Sequence, residues 1–167
     1  VAGCIIASQL RTVPGVIVSV VEKRSAGELP RGLNLLLNHN GMAALADTDS
    51  SLEQALRSIG TDTVGWSART MTGEVLYDLP DVQCGLHPLA DAPGMVGRWD
   101  EINLVLQAAC GEGGIRYGIT VKDWLYDSSN QCLIVTQQNA ESGDEHEEVY
   151  DLLVACDGRY STVRSML

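Results

Sequence analysis

Basic residues are scarce in this 167-residue chain: eleven Lys and Arg face 22 Asp and Glu, for a formal net charge of −11. Such a surface repels phosphate backbones and anionic membranes, so nucleic acid and membrane surfaces are poor partners. Cysteines are few and form no pattern. Cys4, Cys84, Cys110, Cys132 and Cys156 are odd in number, widely scattered and without a C-x-x-C pair, which argues against a disulfide framework or zinc knuckle and for a reduced, cytoplasmic protein. The three histidines, His39, His87 and His146, have no spaced ligand partners, so no metal site is expected. No apolar run approaches the ~18–20 residues of a membrane span. The opening Val1-Ala2-Gly3-Cys4-Ile5-Ile6 lacks the basic flank of a signal peptide. It has the look of the inside of a strand, which points to a trimmed chain. Phenylalanine is absent, and Trp66, Trp99 and Trp124 are most simply core or interface residues. Ser67 and Ser161 lack a nucleophile elbow or a neighbouring base, so a hydrolase triad has no support.

What is present suffices for one domain with a real core: 45% of residues are apolar, and a chain of this size buries roughly 68–70% of its unfolded surface. Val16 to Val21 is a β-branched run between Pro14-Gly15 and Glu22-Lys23-Arg24, which predicts a strand buried on both faces in a parallel sheet. Helical apolar spacing comes next over Leu35–Ala46 and Leu52–Ile59, with Asp47-Thr48-Asp49-Ser50 supplying an N-cap between them. A period of two then predicts a hairpin, Val64–Arg69 and Glu74–Tyr77 around Met71-Thr72-Gly73. Asp78 to Gly97 reads as a long loop, and His87 within it as an exposed loop histidine. Glu101–Ala109 predicts a helix ended by Gly111. Ile115–Tyr117, Ile119–Tyr126 and Cys132–Gln137 predict strands, the acidic run Glu141–Glu148 a solvated hairpin tip, and Val149–Ala155 a returning buried strand. The class is mixed α/β with no internal repeat.

The last segment is the most informative. A buried strand delivers Asp157-Gly158, and Ser161 caps a helix beginning near Thr162. A strand-to-helix junction of this kind aims backbone N–H groups at an anion while a carboxylate accepts from sugar hydroxyls, a combination suited to a nucleotide. An ordinary capped turn has the same ingredients.

The spacing Asp157, Gly158, Ser161, Arg164 meets the D-G-x-x-S-x-x-R motif, and with Val20-Val21-Glu22-Lys23-Arg24 upstream the chain resembles the FAD-binding half of the single-component flavoprotein monooxygenases, the aromatic hydroxylase family. Arg31-Gly32-Leu33-Asn34 with Gly41-Met42 is similar to that family's segment near the flavin. The resemblance runs over essentially all of the chain. It implies a Rossmann-like FAD-binding domain over residues 1–167, with parallel core strands plus an antiparallel meander, truncated relative to the family, in which residues about 63–97 contribute to a substrate subdomain.

The same resemblance implies FAD as cofactor, NAD(P)H as reductant, and hydroxylation or epoxidation of a small, aromatic or polyketide-like substrate with O2. It gives roles to eight residues. Gly3 stands at the glycine loop. Glu22 accepts from the adenosine ribose hydroxyls, since a carboxylate only accepts and can take a diol pair. Lys23 and Arg24 lie near the adenine or phosphates, and Gly32 lies near the flavin. Arg98 offers charge-assisted hydrogen bonds to the phosphate or ribityl region, its plainer alternative being a surface ion pair with Asp100 or Glu101. Asp157 and Gly158 close over the ribityl and pyrophosphate portion. No catalytic side chain is assigned.

Three features depart from the family. Aligned on Gly3, the second and third positions of G-x-G-x-x-G fall on Ile5 and Ser8, and a Cβ at the second blocks the approach of pyrophosphate to the backbone. Cys4 to Pro14 barely spans a parallel crossover, so either part of the glycine loop is absent, Ile6-Ala7-Ser8-Gln9-Leu10-Arg11 being similar to the tail of the family's usual helix, or Val1–Ser8 is a strand turning back at Pro14-Gly15 as a hairpin. Arg98 precedes Ile102 by one position more than the family's arginine precedes its helix anchor. A flavin-free shortened relative, working as a binding module or a redox-neutral isomerase or cyclase, is the alternative.

Overall fold

The computed structural model describes residues 2–28, 32–80 and 93–167. In chain order the elements are α1 (Ala2–Leu10), β1 (Val20–Glu22), β2 (Asn34–Leu37), α2 (His39–Thr48), α3 (Ser50–Ile59), β3 (Thr61–Asp62), β4 (Gly65–Arg69) and β5 (Val75–Pro80), then β6 (Met95–Arg98), α4 (Trp99–Ala108), β7 (Ile115–Tyr117), β8 (Ile119–Asp127), β9 (Cys132–Asn139), β10 (Glu145–Tyr150) and α5 (Thr162–Ser165). The architecture is mixed α/β, with one parallel pair and several antiparallel sheets among the described residues. The chain divides into two compact units, Val1–Glu28 with Gln107–Leu167, and Leu29–Leu106. No helix among the described residues is long and apolar enough to cross a membrane.

In the first unit the opening segment is helical, which agrees with the likeness of Ile6–Arg11 to a helix tail and overturns the alternative of a strand and its hairpin. A short apolar run such as Cys4-Ile5-Ile6 fits either state by periodicity. Here no breaker occurs until Pro14, and the helix closes through tightened turns, Thr12 N–H to Gln9 O at 3.0 Å and Val13 N–H to Leu10 O at 3.1 Å. The strand after it is shorter than its β-branched run predicts. Only Val20–Glu22 pairs, in parallel with β7 through Val20↔Ile115, Val21↔Arg116 and Glu22↔Tyr117. Val16 and Ile17 are exposed, Ile17 almost wholly at 98%. A β-branched run favours extended backbone, but burial on both faces requires neighbours on both sides, and among the described residues β1 pairs with β7 alone.

The antiparallel sheet β10-β9-β8 makes up the rest of this unit. Its first turn is built on Asp127, whose carboxylate accepts from the Ser129 amide at 2.9 Å and the Asn130 side chain at 2.7 Å. The second turn rests on Asn139, accepting from Glu141 N–H at 2.8 Å, with Gly143 at φ +77°. The acidic tip is therefore shorter than expected: Glu145 to Glu148 belong to β10. Period-two alternation explains the difference, because His146, Glu148 and Tyr150 share a face. On that face Arg116 donates to Glu148 at 2.8 Å and contacts His146 at 3.2 Å, Tyr150 O–H donates to Glu148, and the buried Gln137 donates to Tyr150 Oη at 2.9 Å. After Tyr150 the expected buried strand does not form. Leu152 and Val154 are exposed and belong to no strand, having no ladder partner among the described residues.

The second unit encloses Met42, Leu45, Leu52, Leu56, Met95 and Ile102. Leu35–Leu37 lies in a strand, not in the expected helix. Its partner is β6, registered Asn34↔Arg98 to Leu37↔Met95, a strand inside the segment expected as loop. The helix begins only where the Asn38 side chain caps it, accepting from Gly41 N–H at 2.9 Å. The Asp49 cap of α3 is as expected, accepting from Leu52 N–H at 2.9 Å. The β4–β5 hairpin forms as predicted, with Gly73 at φ +89° in its turn. Arg57 ties α3 to β3 and beyond, pairing with Glu53, with Asp62 at 2.6 Å and with the Pro93 carbonyl at 3.0 Å. Cys84, His87 and the rest of residues 81–92 lie outside the described residues.

The Arg116 guanidinium, with help from the Tyr150 hydroxyl, holds the Glu148 carboxyl down at about 2. A depressed carboxylate contributes stability that is present above its unfolded value and is lost as pH falls through the folded one. Between about pH 4.5 and 2 the parent should therefore lose stability more steeply than Glu148→Gln, read as urea midpoints across that range; parallel profiles would show that the pair is worth nothing.

Candidate functional site

Parallel pairing of β1 with β7 sets Glu22 at the carboxyl end of a strand, the edge where open α/β sheets bind ligands. One oxygen, Oε1, accepts the Arg24 amide at 3.0 Å, and the other lies 3.9 Å from Arg24 Nη1. Their side chains are 36% and 42% exposed, so the carboxylate keeps lone pairs toward solvent. The Arg24 carbonyl accepts from Gly118 N–H at 2.9 Å, which pins the strand end to the turn between β7 and β8. Lys23 is exposed.

Gly3 lies in the first turn of α1, not in an open loop. A Cβ there would come within 3.2 Å of Cys156 Cβ, so this glycine lets the helix approach the segment that leads into Asp157. This is a close-packing role within a helix, not the tight turn that alignment on Gly3 as first glycine supposes. Electrostatics tie the neighbourhood together: Cys4 feels the charge of Glu22, and Cys156 feels both Asp157 and Cys4. Glu22, the start of α1 and the Asp157 turn thus occupy one locality.

The Asp157 turn is internally satisfied. Gly158 takes φ +81°, a conformation that side chains resist. Ser161, buried, caps α5 by accepting from Arg164 N–H at 3.0 Å, and Asp157 Oδ2 accepts from Val163 N–H at 3.2 Å. Burial disfavours the charge on Asp157, but hydrogen bonds from the Ser161 hydroxyl and from turn amides outweigh it and keep the carboxyl below its ordinary range. Arg164 reaches back to the Arg159 carbonyl at 2.6 Å. The amides expected to face an anion are therefore engaged by the motif's own side chains. What the turn holds ready is a rigid shape and the second oxygen of Asp157.

In the other unit, Gly32 runs close over Trp99, whose Cδ1 would meet a Cβ at 2.9 Å, and Arg31 lies outside the described residues. Gly41 and Met42 serve the α2 cap and the core. Arg98 forms the surface ion pair that was its plainer reading, to Asp100 at 2.5 Å and Glu101 at 3.5 Å with its side chain 64% exposed. Those carboxylates raise its pKa. Arg11 carries no sequence signal of its role. It donates to the carbonyls of Cys110, Gly114 (3.1 Å) and Val18 (3.3 Å), and a carbonyl has no residue identity for a pattern to reveal. Among the described residues no His, Cys, Asp and Glu cluster is arranged to hold a metal ion.

No family model and no curated sequence matches the chain. Solved structures do. p-Nitrophenol 4-monooxygenase PnpA from Pseudomonas putida DLL-E4 superposes with a TM-score of 0.77 at 16% identity, over 98% of this chain and 40% of its own. The flavin-dependent monooxygenase PieE, solved with FAD and substrate, gives 0.72 at 13% identity over 99% of this chain and 29% of its own. Aklavinone-11 hydroxylase, solved with FAD and aklavinone, gives 0.69 at 20% identity over 98% and 31%. The chain has the fold of the corresponding part of these flavoproteins and spans two fifths or less of their length.

The packing role of Gly3 predicts a graded response. Gly3→Ala should be near neutral, since roughly 1 kcal/mol of helix propensity offsets a contact that Cys156 can relieve. Gly3→Val should cost about 1–3 kcal/mol through overpacking, read by urea unfolding. Equal tolerance of both substitutions would show that the contact does not constrain α1.

Proposed function

We propose that this chain is the FAD-binding part of an FAD-dependent monooxygenase that acts on a small, aromatic or polyketide-like substrate, with NAD(P)H as reductant and O2 as oxidant. The observation that carries the reading is the partly solvated Glu22 carboxylate at the end of a parallel strand, beside the start of α1 and the Asp157 turn. Its support is the shared fold: PieE and aklavinone-11 hydroxylase were solved with FAD bound.

In this reading Glu22 takes the adenosine ribose. Oε1 is held by the Arg24 amide, which fixes the carboxylate's orientation before the ligand arrives, and the remaining lone pairs accept the two hydroxyls. Lys23, exposed beside it, supplies positive charge toward the adenine or phosphates. Arg24 orients Glu22 through its amide and its guanidinium. Asp157 and Gly158 shape the floor under the pyrophosphate and ribityl portion, with Asp157 acting chiefly by holding the turn. Gly3 brings α1 close enough to that turn for its positive end to face the phosphates. Gly32 and Arg98 belong to the flavin side; Arg98 contributes least, because a phosphate must compete with Asp100 and Glu101 for it. FAD held by these residues would supply the redox chemistry, while the chain would supply binding and orientation.

Purified protein should bind FAD, seen as absorbance at about 450 nm and as saturable quenching in titration. Glu22→Ala should weaken binding by about tenfold or more, the worth of a hydrogen bond to a charged group, with the melting temperature unchanged. Arg98→Ala should have a smaller effect. Absence of flavin binding favours the flavin-free alternative, and parental affinity in Glu22→Ala removes the ribose assignment.

A further inference from the structure

Cys4 and Cys110 stand 106 positions apart in sequence and touch in the fold. Cys4 sits in the first turn of α1, and Cys110 in the turn that closes α4. Cys110 Sγ donates toward the Cys4 carbonyl oxygen at 3.8 Å, which brings the two thiols close enough for each to shift the other's ionisation. The Arg11 guanidinium, at the far end of α1, donates to the Cys110 carbonyl and to Gly114 O at 3.1 Å. Gly114 packs so tightly under Cys110 that a Cβ there would overlap its carbonyl.

The two sulfurs are also unlike in the way a redox pair requires. Cys4 is half-buried, and Cys110 is wholly buried. The hydrogen bond from Cys110 brings the Cys4 thiol down to about 7, while the same contact and burial push Cys110 up. The sulfur nearer solvent is the one that ionises, and the thiolate is the nucleophile.

We propose that Cys4 and Cys110 form a reversible redox pair, with Cys4 attacking a small disulfide such as oxidised glutathione and Cys110 resolving the product. The Cys4 thiolate attacks one glutathione sulfur, forming a mixed disulfide and expelling one glutathione thiolate. The Cys110 thiol, giving up its proton, then attacks Cys4 Sγ and expels the second glutathione as its thiol. Both protein thiols are oxidised, one glutathione disulfide is reduced to two glutathiones, and the released protons balance them. The closed form staples the start of α1 to the Cys110–Gly114 turn. The pairing does not depend on the flavin reading.

The test equilibrates the protein in glutathione buffers of rising oxidised fraction, alkylates remaining thiols, and maps the digested peptides by mass. The Cys4 and Cys110 peptides should become linked, with Cys132 alkylated throughout. Cys4→Ser should leave Cys110 unmodified, and Cys110→Ser should arrest at glutathione on Cys4. Closing so long a loop should raise the parent's apparent melting temperature by roughly 5–10 °C. Alkylation of both residues at the fully oxidised end would overturn the proposal, as would a link from Cys4 to Cys156 or to any other cysteine, since Cys156 lies beside Gly3 in the same locality.

Discussion

Arg11 donates to three backbone carbonyls from three parts of the chain: Val18 before β1, Cys110 after α4 and Gly114 before β7. That clamp decides what the first unit is. It holds the lead-in to β1 and the lead-in to β7 on one guanidinium, so the two strands enter side by side and pair in parallel. A planar, permanently charged fork suits the task, because an ammonium cannot offer several directed donors at fixed angles. The rest of the unit's local geometry depends on that pairing: Glu22 arrives at the strand's carboxyl end, α1 lies over the Asp157 segment through Gly3, and Cys4 meets Cys110.

The second unit is organised by shape more than by charge. Met95 and Ile102 fill the space left by Gly60 and Gly97, where a Cβ would strike Met95 Cε or Ile102 Cδ1. Glycines at the end of α3 and within β6 thus admit large side chains, which is how a small core reaches native packing density. Arg57 fastens the outer edge.

The local chemistry of the chain was legible in sequence, and its pairing was not. The Asp49 cap, the β4–β5 hairpin, the meander and the Ser161 cap each depend on side chains within a few positions of the groups they satisfy, so residue type at fixed spacing reveals them. Leu35–Leu37 and Cys4–Ile6 are short apolar runs that fit two periods, and only a distant partner, β6 for one and the Asp157 segment for the other, selects between them. Val16, Ile17, Leu152 and Val154 have strand composition, yet among the described residues they belong to no strand and are exposed, and whether such a run finds a ladder partner is not encoded in the run itself. The site shows the same division. The Glu22 position was legible, whereas the satisfied state of the Asp157 turn emerged only from geometry.

The central claim is that Glu22, the start of α1 and the Asp157 turn form one surface for an adenine dinucleotide. Backbone amide shifts during titration with adenosine diphosphate, the fragment of FAD that carries ribose and pyrophosphate, test it most directly. Val21 to Arg24, Gly3 and Asp157 to Val163 should move together with a single saturation curve. Shifts confined to other residues, or none at saturating ligand, would contradict it.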